Sequence, residues 1–260
     1  MLQPKSIAAD TGMTEKTLFL AWQDRRLTRS WFPIGRLDVL NTPRSYRFRY
    51  TKGAEVAQAN AGFEPLLDFP EWNQNYTSSE LFPLFRNRVI SSDRRDFPEY
   101  LKMLDLPVTA EPAEILEVGG GSRATDNFEV FPKLQRRRDG SFNCRFFVHG
   151  SRHVNTASIQ RIDTLIPGEK LYVTLELTNP VTKLAIQIQT LDYHVIGWAP
   201  RYLVDDLSKA MADSPGTYQA HVVRVNPSPA PSKQRLLVEL SCNWLGYEPM
   251  SQGPFEPLVQ

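Results

Sequence analysis

Leu171–Leu207, LYVTLELTNPVTKLAIQIQTLDYHVIGWAPRYLVDDL, is the stretch whose reading decides the fold. Leu171, Val173, Leu175 and Leu177 alternate with Tyr172, Thr174 and Glu176, and Leu184, Ile186 and Ile188 keep the same two-residue period. That period turns alternate side chains to opposite faces, so both segments are predicted strands with one buried face. Asn179-Pro180 breaks the run between them. After Val195-Ile196-Gly197-Trp198, Pro200 suits a first helical turn, and Leu203, Leu207 and Met211 follow at four-residue spacing. The order is strand, turn, strand, turn, strand, helix, and a small sheet of this kind is expected to close around the helix.

Length and composition bound the rest. The chain has 260 residues, 41% of them hydrophobic, enough for one large domain or two ordinary ones. No apolar run approaches the roughly 18 residues of a spanning helix, and the polar start lacks the apolar middle of a signal peptide. A cytoplasmic protein with no membrane partner is therefore expected. Two cysteines, Cys144 and Cys242, make neither a disulfide framework nor a zinc pattern and read as reduced core residues. Net charge is only +1, yet Lys133, Arg136, Arg137, Arg138, Arg145, Arg152 and Arg161 stand against Asp139 alone between residues 130 and 161. Such a run is either a solvated set of side chains or a phosphate-facing patch.

Along the chain, residues 1–16 read as a flexible polar leader. Thr17–Trp22 and Ser45–Tyr50 are β-prone, Gln23-Asp24-Arg25 is a turn candidate, and Lys52–Ala61 predicts a short helix stopped by Gly62. Thr77-Ser78-Ser79-Glu80 has capping-box spacing, which places a helix over Leu81, Leu84, Phe85 and Val89. Asp96 and Pro98 open another helix that buries Leu101 and Leu104, ended by Pro107. Residues 108–127, with Pro112 and Gly119-Gly120-Gly121-Ser122, read as a linker. Ile115–Val118 and those glycines also imitate the strand and turn that cradle a nucleotide, but no alternating strand–helix series follows. Phe128–Pro132 and Phe142–His149 then lead into the second module, with Asp139-Gly140 as a hairpin turn between them. Tyr218–Val225 and Arg235–Ser241 add two strands, and residues 246–260 form a tail that either packs as coil or stays mobile.

Catalysis finds little support. His149 and His153 are four apart near Cys144, but Phe146-Phe147-Val148 is strand-like, Gly150 discourages a helix, and no Glu accompanies them as in a zinc protease. No Gly-x-Ser-x-Gly elbow occurs, and Asp205-Asp206 are adjacent helical residues whose side chains diverge. Neither an enzyme, a metal site nor a cofactor is expected. Single-stranded nucleic acid, by contrast, is held by basic groups beside planar faces on which bases stack. Arg152 and His153 after Gly150, Lys183 in the turn, and Trp198 and Arg201 at the start of the helix supply both kinds.

Asn179-Pro180-Val181-Thr182-Lys183-Leu184-Ala185-Ile186 and Gly197-Trp198-Ala199-Pro200-Arg201 resemble the HIRAN domain, over about residues 128–245. The resemblance implies a small β-barrel, of the kind fused to helicases and nucleases and found in many bacterial proteins. In helicase-linked members the corresponding positions contact the 3′ end of single-stranded DNA, so Arg152, Asn179, Trp198 and Arg201 are the implied contacts. Thr182 stands where the family has the acidic residue that receives the terminal hydroxyl, and His153, Val154 and Val181 stand where it has base-stacking tyrosines. A Thr accepts only as a neutral partner, so end recognition should be weaker. The indole of Trp198 is either a stacking platform or a core aromatic. The candidate nucleic-acid-binding set is Arg152, His153, Asn179, Thr182, Lys183, Trp198 and Arg201.

Over about residues 17–107, Pro33-Ile34-Gly35-Arg36-Leu37, Tyr46–Tyr50, Pro65-Leu66-Leu67 and Ser78–Arg88 resemble the N-terminal subdomain of HipA-type toxin kinases. In split systems of that family the subdomain is a separate, antitoxin-like protein that binds the kinase. No His-x-Asp catalytic loop follows any of the four histidines, so phosphoryl transfer is not expected here. The reading is α+β: a small antiparallel sheet with helices, then an SH3/OB-like β-barrel with one helix. Its function would be non-enzymatic binding of single-stranded DNA or DNA ends in bacterial repair or defence. The alternative is a protein-interaction module for a HipA-type kinase, a nuclease or a helicase.

Overall fold

The structure, a computed structural model, describes residues 14–27, 29–41 and 43–260. Residues 1–13 of the expected leader lie outside the described residues, and Thr14 already opens a strand.

The first sheet is built from β1 (Thr14–Gln23), β2 (Trp31–Asn41), β3 (Arg44–Tyr50), β4 (Tyr76–Ser78) and β5 (Phe128–Pro132), in the antiparallel order β4-β3-β2-β1-β5. Asp24 turns the chain between the first two strands, its carboxylate accepting from the backbone N–H groups of Arg26 (2.8 Å) and Leu27 (3.0 Å). Sequence reading missed β2 as a full strand, because a carboxylate interrupts its apolar run. Asp38 is fully buried there, accepting from Thr17 Oγ1 at 2.7 Å, Arg36 Nε at 2.8 Å and Arg49 Nη2 at 2.7 Å. Burial pushes its pKa up, but Arg36, the Thr17 hydrogen bond and Arg49 together outweigh that and hold it below the usual carboxylate range.

Four helices belong to this half: α1 (Lys52–Ala61), α2 (Pro83–Arg86), α3 (Phe97–Met103) and α4 (Pro112–Gly119). The first ends at Gly62 and α3 buries Leu101 and Leu104, both as the sequence predicts. The helix expected after Ser78 shrinks to α2, because Ser78 is claimed by β4 opposite Tyr46 and its hydroxyl bonds Glu80 N. The capping box appears instead inside the expected linker. Glu111 and Glu114 close it at the start of α4, which buries Ala113, Ile115 and Leu116. β5 pairs with β1, so Asp139-Gly140 is a turn between sheets and not a hairpin joining β5 to the next strand.

The second sheet holds β6 (Ser141–Phe147), β7 (Lys170–Asn179), β8 (Lys183–Thr190), β9 (Val195–Trp198), β10 (Gln219–Val225) and β11 (Leu236–Asn243), in the order β6-β11-β10-β7-β8-β9. It corrects the expected SH3/OB-like barrel. All its pairings are antiparallel and the sheet stays open, because the edge strands β6 and β9 form no ladder. Among the described residues one isolated bridge, His149 to Trp198, is all that joins those edges. Two helices rather than one accompany it, α5 (Thr156–Asp163) and α6 (Arg201–Asp213). Leu203, Leu207, Ala210 and Met211 of α6 fill the sheet's concave side against Ile186, Ile188, Ile196, Val222 and Leu240.

The two sheets share that core. Phe19 and Phe131 of the first sheet join the same buried cluster, and Phe131 stacks on Tyr202 of α6 with centroids 3.9 Å apart. The tail packs as coil and returns to the first sheet, with Leu258 N donating to Tyr50 O at 2.9 Å and Phe255 edge-on to Phe19.

Candidate nucleic-acid interface

The turn from β7 to β8 is organised by one side chain. Asn179 Oδ1 accepts from Val181 N (3.0 Å), Thr182 N (3.1 Å) and Thr182 Oγ1 (3.1 Å), while its Nδ2 donates to Glu176 Oε2 at 3.0 Å. Asn179 therefore holds the turn before it can meet any ligand. The Thr182 hydroxyl spends its proton on Asn179 and keeps lone pairs to accept with. Lys183 follows, exposed, with φ of 64°.

Trp198 joins this network across the sheet. Its Nε1 donates to the same Glu176 oxygen at 2.6 Å, and the register that sets Gln187 opposite both Thr174 and Trp198 puts the indole on the outward face. It lies outside the buried clusters, while Ile188 and Ile196 point to the core. Two glycines make this placement possible. Gly197 has φ of 140°, and a Cβ there would collide with the His149 carbonyl. At Gly150 (φ 72°) a Cβ would sit 2.7 Å from Trp198 Cε3, so the backbone runs directly against the indole. The next residues form a single 3-10 turn, Ser151–His153, which leaves Arg152 and His153 exposed, with Arg152 Nε donating to His153 Nε2 at 3.0 Å.

Five of the seven predicted residues, Arg152, His153, Asn179, Thr182 and Lys183, thus fall in the two turns that flank the indole of a sixth, Trp198 in β9. Arg201 does not join them. Its guanidinium donates to the Arg29 carbonyl of the β1–β2 loop at 3.1 Å, and burial, with Arg29 nearby, holds its pKa below the usual arginine value. The basic run is largely committed elsewhere. Lys133 and Arg136 pair with Glu248, Arg145 with Asp105 and Glu239, and Arg161 with Glu169 and Asp192. Arg152, like Arg137 and Arg138, has no acidic partner among the described residues; its Nε bonds His153 and Arg137 bonds Ser141 and Asn143.

Sequence reasoning missed Glu176, although the two-residue period already places it on the outward face with Tyr172 and Thr174. It also missed an exposed aromatic pair. Tyr172 stacks on Tyr193 with centroids 5.8 Å apart, roughly 13 Å along β7 from Glu176 at the rise of a strand. Among the described residues no group of three or more His, Cys, Asp or Glu side chains is placed to hold a metal ion.

The HIRAN domain family model matches residues 141–241. Residues 141–241 form a HIRAN-like domain. It begins at β6 and ends within β11, so it contains all seven predicted residues and Glu176, while β5 lies outside it. Two crystal structures are similar to part of the chain. One is a protein from Lactobacillus plantarum, at 22% identity and TM-score 0.31, covering 40% of this chain and 97% of that one. The other is the HIRAN domain of human HLTF, at 16% identity and TM-score 0.29, covering 41% of this chain and 79% of that one. No curated protein matches the chain.

Proposed function

We propose that the HIRAN-like domain binds single-stranded DNA or DNA ends, as a non-enzymatic accessory to bacterial repair or defence. The observation that carries this is Trp198: an indole on the outward face whose N–H is fixed by Glu176 and whose ring meets the turn bearing Arg152 and His153. A base can stack on such a platform, worth about 1–3 kcal/mol by alanine substitution, while Arg152 and Lys183 meet phosphates. Thr182 offers a neutral acceptor to a terminal hydroxyl, and Arg201 serves the fold more than the ligand. Fluorescence anisotropy with a labelled single-stranded oligonucleotide tests the site. Arg152→Ala and Trp198→Ala should each weaken binding at constant salt while Arg138→Ala, an exposed cation like Arg152, does not; equal affinity in all three removes these residues from the interface.

A second reading concerns the first sheet, through its resemblance to the HipA N-terminal subdomain. Leu67, in the Pro65-Leu66-Leu67 motif, is 99% exposed and is the side chain at which this reading is tested. Co-purification of a kinase that Leu67→Glu abolishes is the expected result; co-purification unchanged by that variant removes Leu67 from the contact.

A further inference from the structure

A cavity of about 350 Å³ lies between the two sheets, bounded by the end of α4, by β5 and β6, by α6 and by the turn at Pro231–Gln234. Glu129 of β5 reaches it and is only 5% exposed. Tyr202 donates its hydroxyl to Glu129 Oε1 at 3.0 Å, while the second oxygen, Oε2, is buried and accepts no hydrogen bond. Two basic groups approach without satisfying it. His149 Nε2 stands 3.6 Å from Oε1, and Lys233 Nζ stands 4.0 Å from Oε2 with more than half of its side chain in solvent. Burial pushes the His149 pKa down against the pull of Glu129, which leaves the imidazole neutral at pH 7.

The other charges on the walls already have partners. Arg88 bonds Asp126 and the Gly121 carbonyl, Glu117 pairs with Lys16, and Arg145 pairs with Asp105 and Glu239. The last residues of α4 line the cavity as well, so the negative end of that helix's dipole lies at its wall. This settles what the glycine run can do. Gly119-Gly120-Gly121 follows a helix C-terminus, where carbonyls repel a phosphate, and not an N-terminus, whose free N–H groups would hold one. A buried carboxylate oxygen without a hydrogen-bond donor, beside the carbonyl end of a helix, calls for a ligand that brings both N–H groups and positive charge.

We propose that the cavity binds a small organic cation, whose ammonium or guanidinium group donates to Glu129 Oε2. The volume suits such a molecule, being within the range of small-ligand sites, roughly 300–1,000 Å³. Lys233 is the resident competitor, near enough to neutralise Glu129 but too far to bond it.

Isothermal titration of the full chain with agmatine and putrescine, and with glutarate as an anionic control, tests the assignment. Saturable binding of at least one amine and none of glutarate is expected. Glu129→Gln should weaken the amine by about tenfold or more, as removal of a buried charge partner does. Lys233→Ala, at an exposed position outside the buried clusters, should tighten it several-fold and keeps the test decisive if Glu129→Gln fails to fold. No saturable heat with either amine up to about 10 mM, equal affinity in folded Glu129→Gln, or weaker binding in Lys233→Ala would each overturn the proposal.

Discussion

Replacing Glu176 by Gln separates the stability of the site from its function, because the two should move in opposite directions. Trp198 Nε1 and Asn179 Nδ2 both donate to one Glu176 oxygen, at 2.6 and 3.0 Å. A carboxylate accepts both with charge assistance, whereas an amide oxygen accepts as a neutral group and its NH₂ cannot accept at all. Hydrogen bonds to charged groups contribute about 1.5–3 kcal/mol and neutral ones about 0.5–1.5. At this half-buried position the substitution should therefore cost about 1 kcal/mol of stability. Binding should gain instead. Removing one negative charge roughly 6 Å from a phosphate in water removes about 0.7 kcal/mol of repulsion, close to a threefold tighter complex. Urea unfolding gives the first quantity and oligonucleotide anisotropy at fixed salt the second. Loss of stability with unchanged or weaker binding would place Glu176, and the indole it holds, outside the interface.

Other outcomes follow from the same contacts. Asp38→Ala strands Arg36 and Arg49 in a buried site and should cost about 3–5 kcal/mol in urea unfolding. Because the Asp38 carboxyl is held below its ordinary pKa of 3.8, its contribution is complete above that value and is lost as pH falls through the folded pKa. Asp38→Asn should therefore flatten the acid limb of a stability–pH profile. Asp206 is the reverse case: burial raises its pKa, and its Oδ2 finds no partner. The ionised form is disfavoured in the fold, so Asp206→Asn should raise the urea midpoint at neutral pH, with the gain fading as pH falls through the raised pKa. Gly150→Ala forces a Cβ against the indole at φ of 72°, and should cost about 1–3 kcal/mol and displace Trp198, read as weaker oligonucleotide binding.

What the sequence disclosed was local, and what it hid was held by contacts between distant residues. The strands over Leu171–Leu177 and Leu184–Ile188, the Gly62 stop and the four-residue spacing in α6 all express a single element's geometry, and they read correctly, although the buried face of β7 ends at Val173 and leaves Leu175 and Leu177 exposed. Closure of the second sheet is another matter. An alternating strand has the same pattern in an open sheet and in a barrel, so only the pairing at its edges, here one bridge at His149 and Trp198, decides. The capping signal at Ser78 lost to the pairing of β4, and the true capping box used Glu111, outside the preferred Ser, Thr, Asp and Asn. Charge was the least legible property. Glu248, Asp105, Glu239 and Asp192, remote in sequence, neutralise most of the basic run and leave Arg152 as the cation beside the indole. Glu129 and Tyr202 show the same limit, since a strand of one sheet and a helix of the other meet only in the folded chain.

The most direct test of the central claim is the affinity of the whole chain for a single-stranded oligonucleotide, measured by anisotropy from about 50 to 200 mM salt. Saturable binding that weakens as salt rises, with a log–log slope of about −0.7 to −1.4 for the one or two phosphates that Arg152 and Lys183 can meet, is predicted. Absence of saturable binding at the lowest salt, for single strands and duplex ends alike, would contradict it.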